Sequence, residues 1–155
     1  MIPTWRMKDL FAPIEPGKLK DGELELRMAG FGPHPVHKVP AYDFRMVHAA
    51  SEAELGGIRL RVGSTPHLEL YAGHIGYTVH PAHRGHRYAA RSVRLLVPLA
   101  RRLGLDPLWI TCDPDNLASR RCLELAGARF VEMVNVPADC IIHKSGHPVK
   151  CRYRL

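Results

Sequence analysis

The chain has 155 residues, is 46% apolar and carries a formal charge of +7. That length suits one compact domain, residues 1–155, able to bury roughly 70% of its unfolded surface without a disulfide or metal staple, and the composition excludes a disordered chain. No apolar run approaches the ~20 residues of a membrane span, and no signal-peptide core opens the sequence, so the cytoplasm, with Cys112, Cys122, Cys140 and Cys151 reduced, is the expectation.

Residues 1–22 read as an irregular lead-in punctuated by Pro3, Pro13, Pro16 and Gly17. "ELELRM" (23–28) alternates as a strand does. "AGFGPHPVHKVP" (29–40) reads as a loop because prolines and glycines crowd it. Strands are expected at 41–48 and 56–63, with a turn in "EAELGG" between them. "HLELYAGHIGYTV" (67–79) reads as one long strand. Gly73 and Gly76 inside it mark a bulge or the close approach of another backbone. From Tyr88 the period changes: Ala89, Val93, Leu96, Ala100 and Leu103 fall at helical spacing. Gly104 closes that helix and Pro98 should kink it. "LWITC" (108–112) is a short buried strand. "DPDN" is a turn and cap, and a second helix follows until Gly127. Strands at 128–136 and 149–155 flank a loop at 137–148. The order predicts an α+β, mixed α/β fold.

The stretch "IGYTVHPAHRGHRYAA" (75–90) sets three histidines and two arginines where a strand hands over to a helix. Such a turn aims backbone N–H groups and the positive end of a helix dipole at one spot, which suits a pyrophosphate. Gly85 lets a ligand come close, and Arg84 and Arg87 add cationic donors. The alternative is a solvated basic turn with no ligand.

This stretch, with "LWITCDPDNLASRRCLELAGARFVE" and the closing strands, resembles the GNAT superfamily of N-acetyltransferases over about residues 55–136. The family's phosphate loop reads Arg or Gln, two residues, Gly, one residue, then Gly or Ala. Arg84 and Ala89 match, and Arg87 stands at the central glycine. A second signature, Asn with Ala or Ser three on and Gly eleven on, is met by Asn116, Ser119 and Gly127. The resemblance implies a mostly antiparallel sheet whose fourth and fifth strands splay, with acetyl-CoA between them. Main-chain groups of Tyr77, Thr78 and Val79 would hold the pantetheine arm. The turn of Arg84, Gly85, His86, Arg87, Tyr88, Ala89 and Ala90 would hold the pyrophosphate, with Arg87 adding a side-chain contact. Asn116 and Ser119 would flank the arm's far side.

The implied chemistry is direct attack of a primary amine on the thioester. It needs a base for the amine and donors for the developing oxyanion. On the strand, His74, Gly76, Thr78 and His80 alternate onto one face, and Ile75, Tyr77 and Val79 onto the other. His74 is the first candidate base, since an imidazole with a pKa near ~6.5 titrates in the right range. A hydrogen-bonded structural histidine is the competing reading. Glu69, acting through water, is the second candidate. Many family members carry a Tyr seven residues after the Asn, but Leu123 stands there. Ser119, Cys112 or water would then supply any acid.

Three further readings stay open. Cys140, His143, His147 and Cys151 are loosely zinc-like, yet their spacing matches no standard pattern, so no metal is expected. A basic nucleic-acid-binding module is disfavoured by the lack of stacking aromatics. A catalytically inactive CoA-binding sensor fits Arg87 and Leu123. The family usually inserts two helices between its first two strands, but only a short proline-rich loop joins Met28 to Ala41. An acceptor pocket must therefore come from this loop, the lead-in, the tail loop or a partner subunit, with which a homodimer is compatible. The acceptor is a small-molecule or protein amine. Aminoacyl or polyamine acceptors call for an acidic pocket, which Glu23, Glu25, Asp43, Glu52 and Glu54 could supply.

Overall fold

The computed structural model describes residues 13–155. The first part of the expected lead-in lies outside them. Residues 13–19 are irregular and run into a two-residue strand, β1 (Lys20–Asp21). Four longer strands follow: β2 (Leu24–Pro33), β3 (Pro40–His48), β4 (Glu54–Arg61) and β5 (Ile75–Val79). Each pairs antiparallel with the next, giving a five-stranded sheet in chain order.

Alternation explains which side of this sheet is covered. Tyr42, Phe44 and Met46 of β3 and Ile58 and Leu60 of β4 are all within 3% of full burial, and they share one face. Against them packs α1 (Tyr88–Arg102), which buries Tyr88, Ala90, Val93, Leu96, Leu99 and Ala100. The burial of a ~100° stripe at this spacing is what holds an amphipathic helix in place. Pro98 sits on the exposed side and the helix continues past it. Gly104 takes φ +82°, and the Leu105 amide bonds back to Ala100 O at 2.9 Å, a Schellman stop.

A second sheet holds β6 (Trp109–Cys112), β7 (Arg129–Asn135) and β8 (Val149–Arg154), in the order β6-β8-β7 and antiparallel throughout. Helix α2 (Leu117–Leu125) connects β6 to β7 and closes at Gly127, φ +93°. The mixed α+β architecture, an antiparallel sheet flanked by helices, is the one the sequence predicts.

Four boundaries differ from expectation. β2 runs on to Pro33 through a register shift between Met28 and Gly30, because the glycines and Pro33 lie where a bulged strand tolerates them. The β3–β4 turn falls at 49–53, with Glu52 at φ +63°, and Leu55 to Gly57 are strand. Residues 67–79 are not one strand: Leu68–Ala72 form a π-helical turn, and Gly73 at φ +77° redirects the chain into β5. A Cβ at Gly73 would stand 3.0–3.2 Å from backbone atoms of Trp109, Ile110 and Thr111, so this glycine does mark another backbone's approach. The tail loop contains a single helical turn, α3 (Ile141–Lys144).

The two sheets meet at one point. The His74 amide donates to Trp109 O at 2.6 Å. Beyond it β5 and β6 share no ladder, so the sheet is split between them.

Candidate active site

The split opens a cleft of about 450 Å³ on the helix side. One wall is β5, whose alternation sends Ile75, Tyr77 and Val79 toward the helices and Gly76 and Thr78 to the opposite face, in register with core residues Leu60 and Ile58. The other wall is the start of α2. Asn116 caps that helix: its Oδ1 accepts the Ser119 amide at 3.1 Å, so the Asn-x-x-Ser spacing is first of all a helix N-cap. The cleft's mouth is the N-terminus of α1. There the amides of Tyr88, Ala89 and Ala90 precede the first helical bond, Arg91 N–H to Arg87 O at 2.9 Å.

Ten expected cofactor residues line this one cleft: Tyr77, Thr78, Val79, Arg84, Gly85, Arg87, Tyr88, Ala89, Asn116 and Ser119. His86 and Ala90 do not. The His86 ring lies against Tyr88, centroids 5.3 Å apart, and Ala90 is buried in the core. Arg84 Nε donates to Val79 O at 3.3 Å, which holds its guanidinium at the mouth. Gly85 sits at φ +96° with nothing within 4 Å of where a Cβ would stand, an open cradle for a ligand. Arg87, at the family's glycine position, takes the left-handed conformation itself, φ +60° and ψ +28°. An L-residue there costs roughly 1–2 kcal/mol. The family's glycine is thus explained by a φ that this chain reaches with an arginine instead.

Leu123 is fully buried in the core and brings no polar group to the cleft. A phenol nevertheless reaches it from the opposite wall. Tyr77 Oη is 2.6 Å from Ser119 Oγ, and Cys122 lies beside it. Burial pushes the Tyr77 phenol well above its ordinary range and raises the Cys122 thiol. Burial also lifts Cys112 to about 11. All three therefore stay protonated at neutral pH. In the sequence only the backbone of Tyr77 has an expected role, and its side chain goes unnoticed; its place on the same strand face as Ile75 and Val79 is the available signal.

His74 does not present a free nitrogen. Its residue is 1% exposed. Nδ1 accepts the Trp109 amide at 2.9 Å, and Nε2 lies 2.9 Å from Gly63 O, so the ring carries its proton on Nε2. Burial lowers its pKa, which keeps it neutral. The sheet junction encloses the ring, which is a structural pin between β5 and β6. Glu69 is in the π-helical turn, where its carbonyl receives Arg152, and it lines neither the cleft nor a second cavity built partly from the tail.

This second cavity, about 320 Å³, lies on the other side of the junction. It is built from the β2–β3 loop (His34, His37), the turn before β5 (Tyr71), Arg61 of β4, and the tail (Ile142, His147, Lys150). The short loop and the tail, two of the segments considered as sources of an acceptor pocket, both contribute to this cavity. Here His147 Nδ1 meets Asp113 Oδ2 at 2.7 Å, and Lys150 meets Asp113 Oδ1 at 3.0 Å. Burial tends to raise Asp113, but the Lys150 and His147 contacts outweigh it and hold the carboxyl below its ordinary range. No partner is found for the other His147 nitrogen among the described residues. This histidine–carboxylate pair is not visible in the sequence, where His147 suggests only a zinc ligand; the residues lie 34 apart in the chain.

The zinc-like set does not converge. Cys151 is buried opposite Cys112 in the β6–β8 ladder. Cys140 Sγ is 3.7 Å from His67 Nδ1, and His147 belongs to Asp113. Among the described residues no three His, Cys, Asp or Glu side chains form a metal-binding group. The acidic-pocket expectation also fails. Glu23 pairs with Arg91, Glu25 and Glu52 with Arg27, and Asp43 with Arg59, while Glu54 lies near His80. Glu23, Glu25, Glu52 and Asp43 are each paired with an arginine, and none of the five acids lines the 320 Å³ cavity, though Asp43 lines the hollow over Gly76 and Thr78.

Known proteins match this arrangement. A family model described as an acetyltransferase (GNAT) domain matches residues 5–129. An acetyltransferase of the GNAT family from Bacillus anthracis superposes with a TM-score of 0.58 at 21% identity, covering 73% of this chain and 64% of that one. A ribosomal-protein-S5-alanine acetyltransferase from Vibrio fischeri superposes with a TM-score of 0.63 at 12% identity, over 89% of this chain and 95% of that one. A Microcin C7 self immunity acetyltransferase, solved with acetyl-CoA and AMP, gives 0.55 at 13% identity, over 74% of this chain and 60% of that one. The chain spans less than two thirds of the length of the Bacillus anthracis protein. A search of curated proteins finds no match. No helix among the described residues is long and apolar enough to cross a membrane. A matched domain over most of the chain, on a sheet split at the expected strands, places it in one family: the chain belongs to the GNAT acetyltransferases.

Proposed function

We propose that this chain is an N-acetyltransferase that moves an acetyl group from acetyl-CoA to a primary amine by direct attack. One observation carries the reading: a single cleft joins the backbone of β5, the free amides opening α1 with Arg84 and Gly85, and Ser119 of α2. The open cradle at Gly85 and the exposed guanidinium groups fit a pyrophosphate. Backbone groups of Tyr77, Thr78 and Val79 fit the pantetheine arm. When bound, acetyl-CoA supplies the thioester carbonyl that the amine attacks.

The chain's own residues then handle protons and position. His147, oriented by Asp113, takes a proton from the acceptor nitrogen on the cavity side. The nitrogen gains its bond to the acetyl carbon as the carbon–sulfur bond breaks. Ser119, hydrogen-bonded through its Oγ to the Tyr77 phenol at 2.6 Å, forms a short relay that donates a hydrogen bond toward sulfur, and the leaving thiolate takes its proton from solvent. A CoA thiol with a pKa near ~8.5 leaves with modest assistance, so this relay accelerates the step without being indispensable.

Calorimetric titration with acetyl-CoA tests the reading. Arg84→Glu is expected to weaken binding by about 1.5–3 kcal/mol, the scale of a charge-assisted hydrogen bond. Unchanged affinity in that variant would remove the pyrophosphate assignment. Binding without turnover on any amine would favour an inactive CoA-binding sensor.

A further inference from the structure

The cavity behind the β5–β6 junction is cationic. Arg61 and Lys150 bring its positive charge, Lys150 paired with Asp113 beside it; His34, His37 and His147 add polar groups, and no carboxylate is in the lining. Arg61 is the unusual member. Its Nη1 is anchored on the carbonyls of Ala72 and Gly73, at 3.1 and 2.9 Å. Its Nε is buried with no hydrogen-bond partner. It forms no ion pair among the described residues, because Asp43, the acid across the strand, is taken by Arg59. Burial depresses its pKa to about 10 and the Arg59 charge adds to the effect, while Asp43, acting through space without an ion-pair contact, offsets part of it.

A guanidinium has five donors in a planar fork. Two backbone carbonyls on one nitrogen leave most of that fork unused. A largely buried cation with no acid in direct contact is unfavourable unless something supplies the charge. The fork also has a defined position. Its Nη2 lies 2.8 Å from where a Cβ at Gly76 would stand, so the missing side chain lets Arg61 lie across β5. Arg61 therefore reaches the strand that walls the acetyl-CoA cleft, and it lines both the cavity and a hollow of about 460 Å³ over Gly76 and Thr78, where Asp43 and its partner Arg59 also stand. Lys150, whose side chain is 15% exposed, stands across the cavity beside Asp113 and His147.

We propose that the acceptor is a small amine that also bears an anionic group, a carboxylate or a phosphate, and that Arg61, assisted by Lys150, binds that group. The inference rests on the acetyltransferase reading and names the substrate class of the same site. The volume, about 320 Å³, suits a small molecule. A polyamine finds no counter-charge there. Anchoring the anion on Arg61 holds the substrate over β5, and His147 stands ready for the ammonium proton from the tail side.

The test uses matched amines that differ in the anion alone, with the full chain and acetyl-CoA. Glycine is paired with glycinamide, phosphoethanolamine with ethanolamine, and glucosamine 6-phosphate with glucosamine; spermidine and a short peptide complete the panel. The anionic member of a pair is expected to show a kcat/KM about 10- to 100-fold higher, the loss that follows removal of a charged hydrogen-bond partner. The carboxylate and phosphate pairs tell the two anions apart. Titration of the same pairs into the CoA complex is expected to give the same order. Arg61→Gln should collapse the preference toward unity by raising KM for the anionic member, while Arg61→Lys keeps part of it. Acetyl-CoA affinity verifies that each variant is folded, and Lys150→Gln, expected to reduce the preference too, serves if Arg61→Gln does not fold.

Preference for the neutral amines, spermidine or the peptide overturns the proposal. So does a preference untouched in Arg61→Gln, or an absence of binding by every anionic member. If amines turn over without anionic preference, this inference falls and the acetyltransferase reading stands. If acetyl-CoA itself does not bind, both fall.

Discussion

Two histidines differ in the partners the fold gives them. His74 resembles a base in the sequence because it precedes the cofactor strand, and an imidazole titrates near neutrality. In the fold both its nitrogens are committed, to Gly63 O and the Trp109 amide. His74→Ala is therefore expected to cost about 2–4 kcal/mol of stability, since it strands a buried donor and a buried acceptor and leaves a cavity. Acetyl-CoA affinity should be little changed in the fraction that folds. His147→Ala, in contrast, should leave the melting temperature near wild type and cut kcat/KM by ~10²-fold or more, the contribution of a positioned base. Chemical denaturation and steady-state rates on both variants separate the roles. Loss of activity in His74→Ala with full stability would reverse the assignment.

At the scale of elements, the cleft depends on how α2 begins. Asn116 holds the Ser119 amide and so sets the first turn, from which Ser119 Oγ meets the Tyr77 phenol. Asn116→Ala should cost about 0.5–2 kcal/mol, the usual worth of an N-cap. It should also slow turnover more than a distant substitution of equal cost, because the serine moves with the turn. Asn116→Asp keeps an accepting oxygen and adds a charge that the helix dipole favours, so it should restore stability. Equal losses in the two variants would show that the cap is not what matters. The same element logic explains the missed strand: apolar residues in 67–72 match a strand, but Gly73 at φ +77° forces a turn and Leu68 packs inward from a π-helical turn.

For the whole molecule, the buried histidines set a response to acid. His34, His37, His67 and His74 all have lowered pKa values, His37 to about 4, with burial the first cause in each. The unfolded chain takes up protons at these sites from about pH 6.5 downward, while the folded chain takes them up only at lower pH. Between those limits the unfolded state binds more protons, so stability falls as pH falls. The melting temperature is expected to decline steadily from pH 7 to pH 4, and His37→Asn should flatten that decline. Scanning calorimetry across this range provides the check, and a flat profile between pH 7 and 4.5 would contradict the burial of these rings. The cluster spans separate segments: His37 Nδ1 lies 2.7 Å from His67 Nε2, and the His34 ring is 4.5 Å from His37.

The strand–turn–helix around residues 75–90 and the capped start of α2 were legible in the sequence, because period, glycine and cap preferences act over a few residues. That local chemistry sufficed to identify the fold, the family resemblance and most of the cleft. The second pocket was not legible. His147 meets Asp113, and Arg61 meets Ala72 and Gly73, only when the sheet splits at His74 and the tail folds back beside β6. No local propensity encodes which acid neutralises which cation. Pairing engaged Glu23, Asp43 and Glu52 with other arginines and left Arg61 without an ion-pair partner among the described residues, and only tertiary packing decides that distribution.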